Sequence, residues 1–236
     1  MIFIYILQVL LSIIMLVHVS ILDVKYREID TKIWLFYSPL VLFFIYNIKF
    51  LNIYLFLYSF IVTILILYFF YRLSFMGGAD LFVMIILGLV DSSVHPLFYS
   101  FFSIIGMEPI IIMLFASLLV FMFVIINFIR YYKYTVGLSI SKRILLSISG
   151  KRMKIKDFIN SKFLFPLSVI DDKGNESLRT SFSVDEDDRE WRDKYTKLVL
   201  NNIINEDKVI WVAYGIPVLP FILFGYIVSL IIGIPI

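Results

Sequence analysis

The sequence predicts an all-α polytopic membrane protein with six transmembrane helices, the fourth of them short, and a small α+β insert before the last. Three observations carry this. Of the 236 residues, 61% are apolar and 18% aromatic, more than a soluble domain of this size hides from water. Several apolar runs reach about 20 residues, the length of one helical crossing. The charges are segregated: residues 1–129 hold 11 charged side chains and residues 130–208 hold 28. The organisation expected is a membrane domain over 1–129, a water-facing insert over 130–208 and a sixth transmembrane helix over 209–236.

The first helix is expected over 1–22. No positive charge precedes its apolar stretch and no A-x-A site follows, so it reads as a retained helix and not a cleaved signal. The polar stretch DVKYREIDTK, residues 23–32, separates it from a second segment over 33–48, with Trp34 near one interface and Lys49 at the other end. A third runs from 50 to 71, ended by Arg72. The fourth, 80–90, covers only about half a bilayer at about 1.5 Å per residue. A loop with an apolar stretch of its own, 97–105, leads to the fifth helix, 109–129, which starts at Pro109, a favoured first helical position. In the last segment, Gly215, Pro217, Pro220 and Gly225 are expected to introduce bends.

Charge decides whether the short fourth segment crosses. Lys and Arg close to helix ends favour the cytoplasmic side. With a crossing there, 20 of the 21 basic residues share one side and only Lys49 lies opposite. Both termini are then external and the insert cytoplasmic. Within the insert, KRMKIKDFI and SKFLFPLSVI read as strands and DDKGN, 171–175, as a turn. Ser183 with Glu186 forms a capping-box pattern ahead of a helix over about 184–204. The acidic run DEDDRE reads as a solvated helix start.

This topology puts Asp23, closing the first helix, and Asp80, opening the fourth, at one membrane face. Ionisable groups at such depth are costly and mark functional sites. Each has a plain structural alternative: Asp80 as a cap of its helix, Asp23 as a headgroup-level stop. Together they suit a chemistry in which two carboxyl groups share one proton, one activating a water and the other polarising a carbonyl. Gly77 and Gly78 precede Ala79 and Asp80, and glycines there permit left-handed turns or close approach of another backbone.

M-G-G-A-D, residues 76–80, resembles the G-x-G-D motif of intramembrane aspartic proteases, with Ala79 in place of the second glycine. D-V-K-Y-R-E-I-D, residues 23–30, resembles the other half of the site in type IV prepilin peptidases, where an aspartate ending the first core helix precedes a short basic stretch and an Ile-Pro; Ile29 matches and Asp30 stands where proline is common. The length, the six segments, the absence of cysteine and the polar insert are most similar to the archaeal branch, the preflagellin peptidases. That resemblance spans 1–129 and the sixth segment. It implies that Asp23 and Asp80 are catalytic and that Gly77 is the motif glycine. It also implies that the substrates are preflagellin or other pilin-like precursors, cut beside their short basic leader at the cytoplasmic face of the cell membrane. Glu28 and Asp30, beside Asp23, are candidate contacts for that leader; a solvated loop neutralised by Lys25, Arg27 and Lys32 is the alternative.

Other chemistries find less support. The chain has no cysteine, so disulfides, zinc ribbons and cysteine catalysis drop out, and no cofactor, metal site or nucleic-acid partner is expected. Neither H-E-x-x-H nor G-x-S-x-G occurs. His18 reads as a helix-interface residue with a local hydrogen bond, and His95 lacks a serine partner. The competing class is a proton- or cation-coupled transporter, which also uses broken helices and paired carboxylates. Inverted repeats would mark it, and none is evident.

Overall fold

A computed structural model describes residues 2–27, 29–72, 76–179, 186–214 and 216–235, with the backbone only at Ser149 and Tyr214. The chain divides into two compact units, residues 1–121 with 217–236, and residues 122–216.

The first unit is helical. Helix α1 spans Ile2–Tyr26, four residues beyond its expected end, because DVKY continues its hydrogen bonding until Arg27 turns to a positive φ of 58°. Its buried positions Gln8, Ser12, Met15, Leu16, Val19 and Ser20 fall on one stripe of a 3.6-residue helix. Asp23, half-buried, continues that stripe. The second expected segment is three pieces: α2 (Thr31–Tyr37), a 3-10 turn (Ser38–Val41) and α3 (Leu42–Asn47). Pro39 lies inside the turn, and its missing N–H interrupts the α-helical ladder.

Helix α4 spans Ile53–Arg72, its start capped by Asn52, whose side chain accepts the Tyr54 and Leu55 amides. Helix α5, Gly78–Val90, packs against α1, α2, the 3-10 turn, α3 and α4, and against α11 (Val218–Ile232). Its 13 residues reach roughly 20 Å. The loop after it holds a short helix, α6 (Phe101–Ile104). Its Leu97 and Phe98 amides donate to the Leu230 and Ile231 carbonyls at the end of α11.

Helix α7 runs from Glu108 to Thr135, six residues past the expected end. RYYKYT holds no breaker, and the chain turns only at Gly137, at φ 90°. Helices α1, α4 and α7 are long and apolar enough to cross a membrane. The apolar windows of α4 and α7 are only 22% buried, so most of their side chains require lipid as solvent. The shared core gathers Met15, Leu16, Val19, Val83, Met84, Leu87, Ile112, Leu219 and Tyr226, around α5. Gly225 lets α11 approach α7: a Cβ there would lie 2.7 Å from the Ala116 nitrogen.

The second unit contains α8 (Ile140–Ser149), β1 (Gly150–Lys154), α9 (Ile155–Ile159), β2 (Leu164–Pro166), β3 (Ser168–Ile170), β4 (Glu176–Leu178), α10 (Asp188–Leu200) and β5 (Val209–Tyr214). The first expected strand, KRMKIKDFI, divides into β1 and α9, and the second into β2 and β3. Strands β1, β5 and β2 form an antiparallel sheet in that order, while β3 and β4 make a hairpin around the Asp171–Asn175 turn. Here the reading of residue 209 as the start of a transmembrane helix is corrected. VIWVAY is a central strand: Ile210 and Val212 face the core of α9 and α10, while Trp211 and Ala213 face Leu146 of α8. A strand buried on both faces shows no polar alternation and reads as a plain apolar run.

Helix α10 begins later than expected, with Asp187 as N-cap accepting the Arg189 amide at 2.8 Å. Ser183 of the expected capping box lies outside the described residues. Glu186 instead binds the Arg179 guanidinium and the Trp191 indole N–H. On the surface, Asp207 bridges Lys156 and Lys154, and these bonds hold its carboxyl below the ordinary carboxylate range.

Candidate functional site

The sequence singles out two carboxyl groups, and the structure brings both to the N-terminal ends of helices. In M-G-G-A-D, Gly77 is the N-cap of α5, and Gly78, Ala79 and Asp80 form its first turn. The Asp80 carboxylate folds back to accept the Gly77 amide at 3.0 Å, the half of a capping box that a glycine N-cap permits. Asp80 is 6% exposed. Asp23 accepts the Leu219 amide at 3.3 Å. Leu219 lies in the first turn of α11, whose N-cap is Pro217 and offers no side-chain acceptor. Each carboxylate thus takes an amide left unpaired at a helix start, where the helix dipole favours negative charge.

Asp80 lies within range of the charge of Asp23. Arg27, at its positive-φ turn, lies within range of Asp23. Trp34 of α2 stacks on Phe82 of α5 with ring centroids 5.9 Å apart, and Ile29 packs into the same core. The segment leaving Asp23 is therefore anchored beside the first turn of α5.

The motif glycines are not forced by backbone strain. Gly77 is extended at φ −82° and ψ 160°, and a Cβ on either glycine would meet nothing nearer than 3.8 Å. Gly77 is exposed, while Asp80, three residues on, is buried. Ala79 sits within a helical turn, where alanine is favoured over glycine. Asp30 is exposed and caps α2, accepting the Lys32 amide at 2.9 Å. Glu28 lies outside the described residues. His18 meets the Tyr37 hydroxyl at 2.8 Å through Nδ1, a local interface bond.

A second polar group, which sequence reading did not select, surrounds the far end of α5. Asp91, its fully buried C-cap, accepts Gln8 Nε2 at 2.9 Å and the Ser12 hydroxyl at 2.5 Å. Asn47 orients Gln8 and also donates to the Val90 carbonyl at 2.9 Å. Buried Glu108, opening α7, is bonded by Ser229 of α11. The buried Tyr226 hydroxyl lies beside both acids and interacts with Asp91 and Ser12. The one sequence signal for this group is the spacing of Gln8 and Ser12 on the stripe that ends at Asp23.

An apolar helical unit that exposes most of its long helices, joined to a small α+β unit, defines a multi-pass membrane protein. Residues 10–128 match the type IV leader peptidase family, and residues 142–234 match the archaeal peptidase A24 C-terminus, type II. The chain belongs to the type IV leader peptidase family, and it is a protease of that kind. No curated protein matches it.

Proposed function

We propose that this protein is an aspartic endopeptidase of the GxGD type. In this reading Asp23 and Asp80 activate a water molecule to remove the short basic leader from preflagellin or other type IV pilin-like precursors at the cytoplasmic membrane face. The observation that carries it is the placement of Asp80, a buried carboxylate in the first turn of α5 near the exposed Gly77, within range of the charge of Asp23. One carboxylate accepts a proton from the water while the other, protonated, polarises the scissile carbonyl, and the proton then passes to the leaving amine. The exposed Gly77 edge leaves room for an extended precursor backbone beside Asp80.

The topology that serves this chemistry has six crossings, with both termini external and residues 130–208 cytoplasmic, so that the α1 end and the α5 start share one face. Labelling single cysteines at positions 23 and 80 from either side tests it; opposite faces would end the proposal.

The direct test is cleavage. Membranes carrying the protein are incubated with a preflagellin-like precursor and compared with Asp23→Asn and Asp80→Asn. Each single change abolishes processing if both carboxylates are needed. Full processing by either variant removes the two-aspartate mechanism, and ion flux without any cleavage supports a transporter instead. A shared proton also gives a cleavage rate that falls at both low and high pH, whereas a flat profile contradicts it.

A further inference from the structure

The junction of α7 and α8 has features that leader cleavage does not require. Helix α8 buries Leu146 and packs Leu145 against the sheet. Its opposite face presents Ile140, Ile144 and Ile148, exposed by 62%, 47% and 42%. Spaced four residues apart, they form one apolar stripe. Only four residues, 136–139, separate α8 from the end of α7, a span of about 17 Å at most.

One side chain of α8 packs against α7. The Arg143 guanidinium lies over the rings of Tyr132, at 4.6 Å, and Phe128, at 5.5 Å. Phe128 sits among Ile125, Ile126 and Ile129, all exposed apolar residues of a membrane-spanning helix. A side chain of α8 therefore packs against an exposed apolar stretch of α7. The Nε and Nη2 groups of Arg143 are shielded from water and meet no acceptor among the described residues. The charge around the junction has one sign: residues 130–156 contain eight basic side chains and no acidic one.

We propose that α8 lies in the lipid–water interface of the membrane its own chain crosses. Ile140, Ile144 and Ile148 seat among the acyl chains, and Lys142, with the other basic side chains of residues 130–156, draws the headgroups of anionic lipids. An amphipathic helix with a basic flank binds such a surface by apolar burial plus electrostatic attraction. The Arg143 contact then ties the second unit to the bilayer through a fixed helix and not through a free linker.

The chain has no cysteine, so single labels are clean. The full-length protein with a spin label at Ile144→Cys is placed in vesicles of phosphatidylglycerol and phosphatidylcholine, with Asp172→Cys in the β3–β4 turn as a water-exposed reference. Collision with lipid-soluble oxygen, relative to a water-soluble nickel chelate, is expected to be several-fold higher at 144 than at 172. That ratio is expected to drop in vesicles of phosphatidylcholine alone and in the Lys142→Gln, Arg143→Gln background. Equal ratios at 144 and 172 would overturn the proposal. So would disulfide capture between two copies at position 144 with no oxygen preference, which marks a protein interface. Should Arg143→Gln fail to fold, Lys142→Gln and the loss of the lipid difference at high salt test the same attraction.

Discussion

Helix α5 carries an aspartate at each end, and the two live in opposite circumstances. Asp80 sits at the positive end of the helix dipole, bonded to one backbone amide, three residues from the exposed Gly77. Asp91 sits at the negative end, fully buried, and two side chains of α1 compensate for that position. The same residue type is the proposed catalytic group at one end and a packing element at the other. Burial alone does not separate them; what does is whether donors from neighbouring helices have occupied the carboxylate.

The largest effect expected is on chemistry at the Asp80 end. Asp80→Asn or Asp23→Asn lowers cleavage of a pilin-like precursor by roughly 10³-fold or more with an unchanged thermal midpoint. Asp91 behaves in reverse: Asp91→Ala strands Gln8 and Ser12 and destabilises by about 3 kcal/mol, read as a lower midpoint in detergent. Asp91→Asn costs less, because it still accepts one of those bonds. A stable Asp91→Ala protein without activity would erase the contrast.

Glycines sharpen it at a smaller scale. Gly225→Ala forces a methyl onto the α7 backbone and costs about 1–3 kcal/mol. Gly77→Ala, with open space and an ordinary φ but a poorer N-cap residue, costs about 1 kcal/mol or less, so a loss of cleavage at an almost unchanged thermal midpoint reports on access to Asp80. Smallest is the effect of an aspartate in water. Asp207, held below the ordinary carboxylate range by Lys156 and Lys154, supports the second unit above that range. Its contribution disappears as pH falls through it, while Lys156, raised by the same bond, loses its share as pH climbs past the ordinary lysine range. Salt should screen both ends of this dependence, as measured by melting the wild type against Asp207→Asn across pH.

Long apolar helices and the aspartate–glycine motif were legible because each depends on local composition: α1, α4 and α7 stand where the apolar runs stand. Strand β5 was not legible. Its run VIWVAY is apolar because two cores cover it, and a doubly covered strand imitates membrane sequence. The split of residues 31–47 turned on one proline, Pro39, inside an otherwise continuous run.

Sequence by itself determined that this chain lives in a membrane, that its charges gather in one insert, and that Asp23 and Asp80 merit attention, since hydropathy, charge and short motifs are properties of neighbours in the chain. Tertiary structure decided that the α11 start supplies an amide to Asp23, that Gln8 and Ser12 occupy Asp91, and that Arg143 lies against α7. Those contacts join residues up to 196 positions apart, and a hydrogen bond over such a separation exists only once packing has brought the helices together.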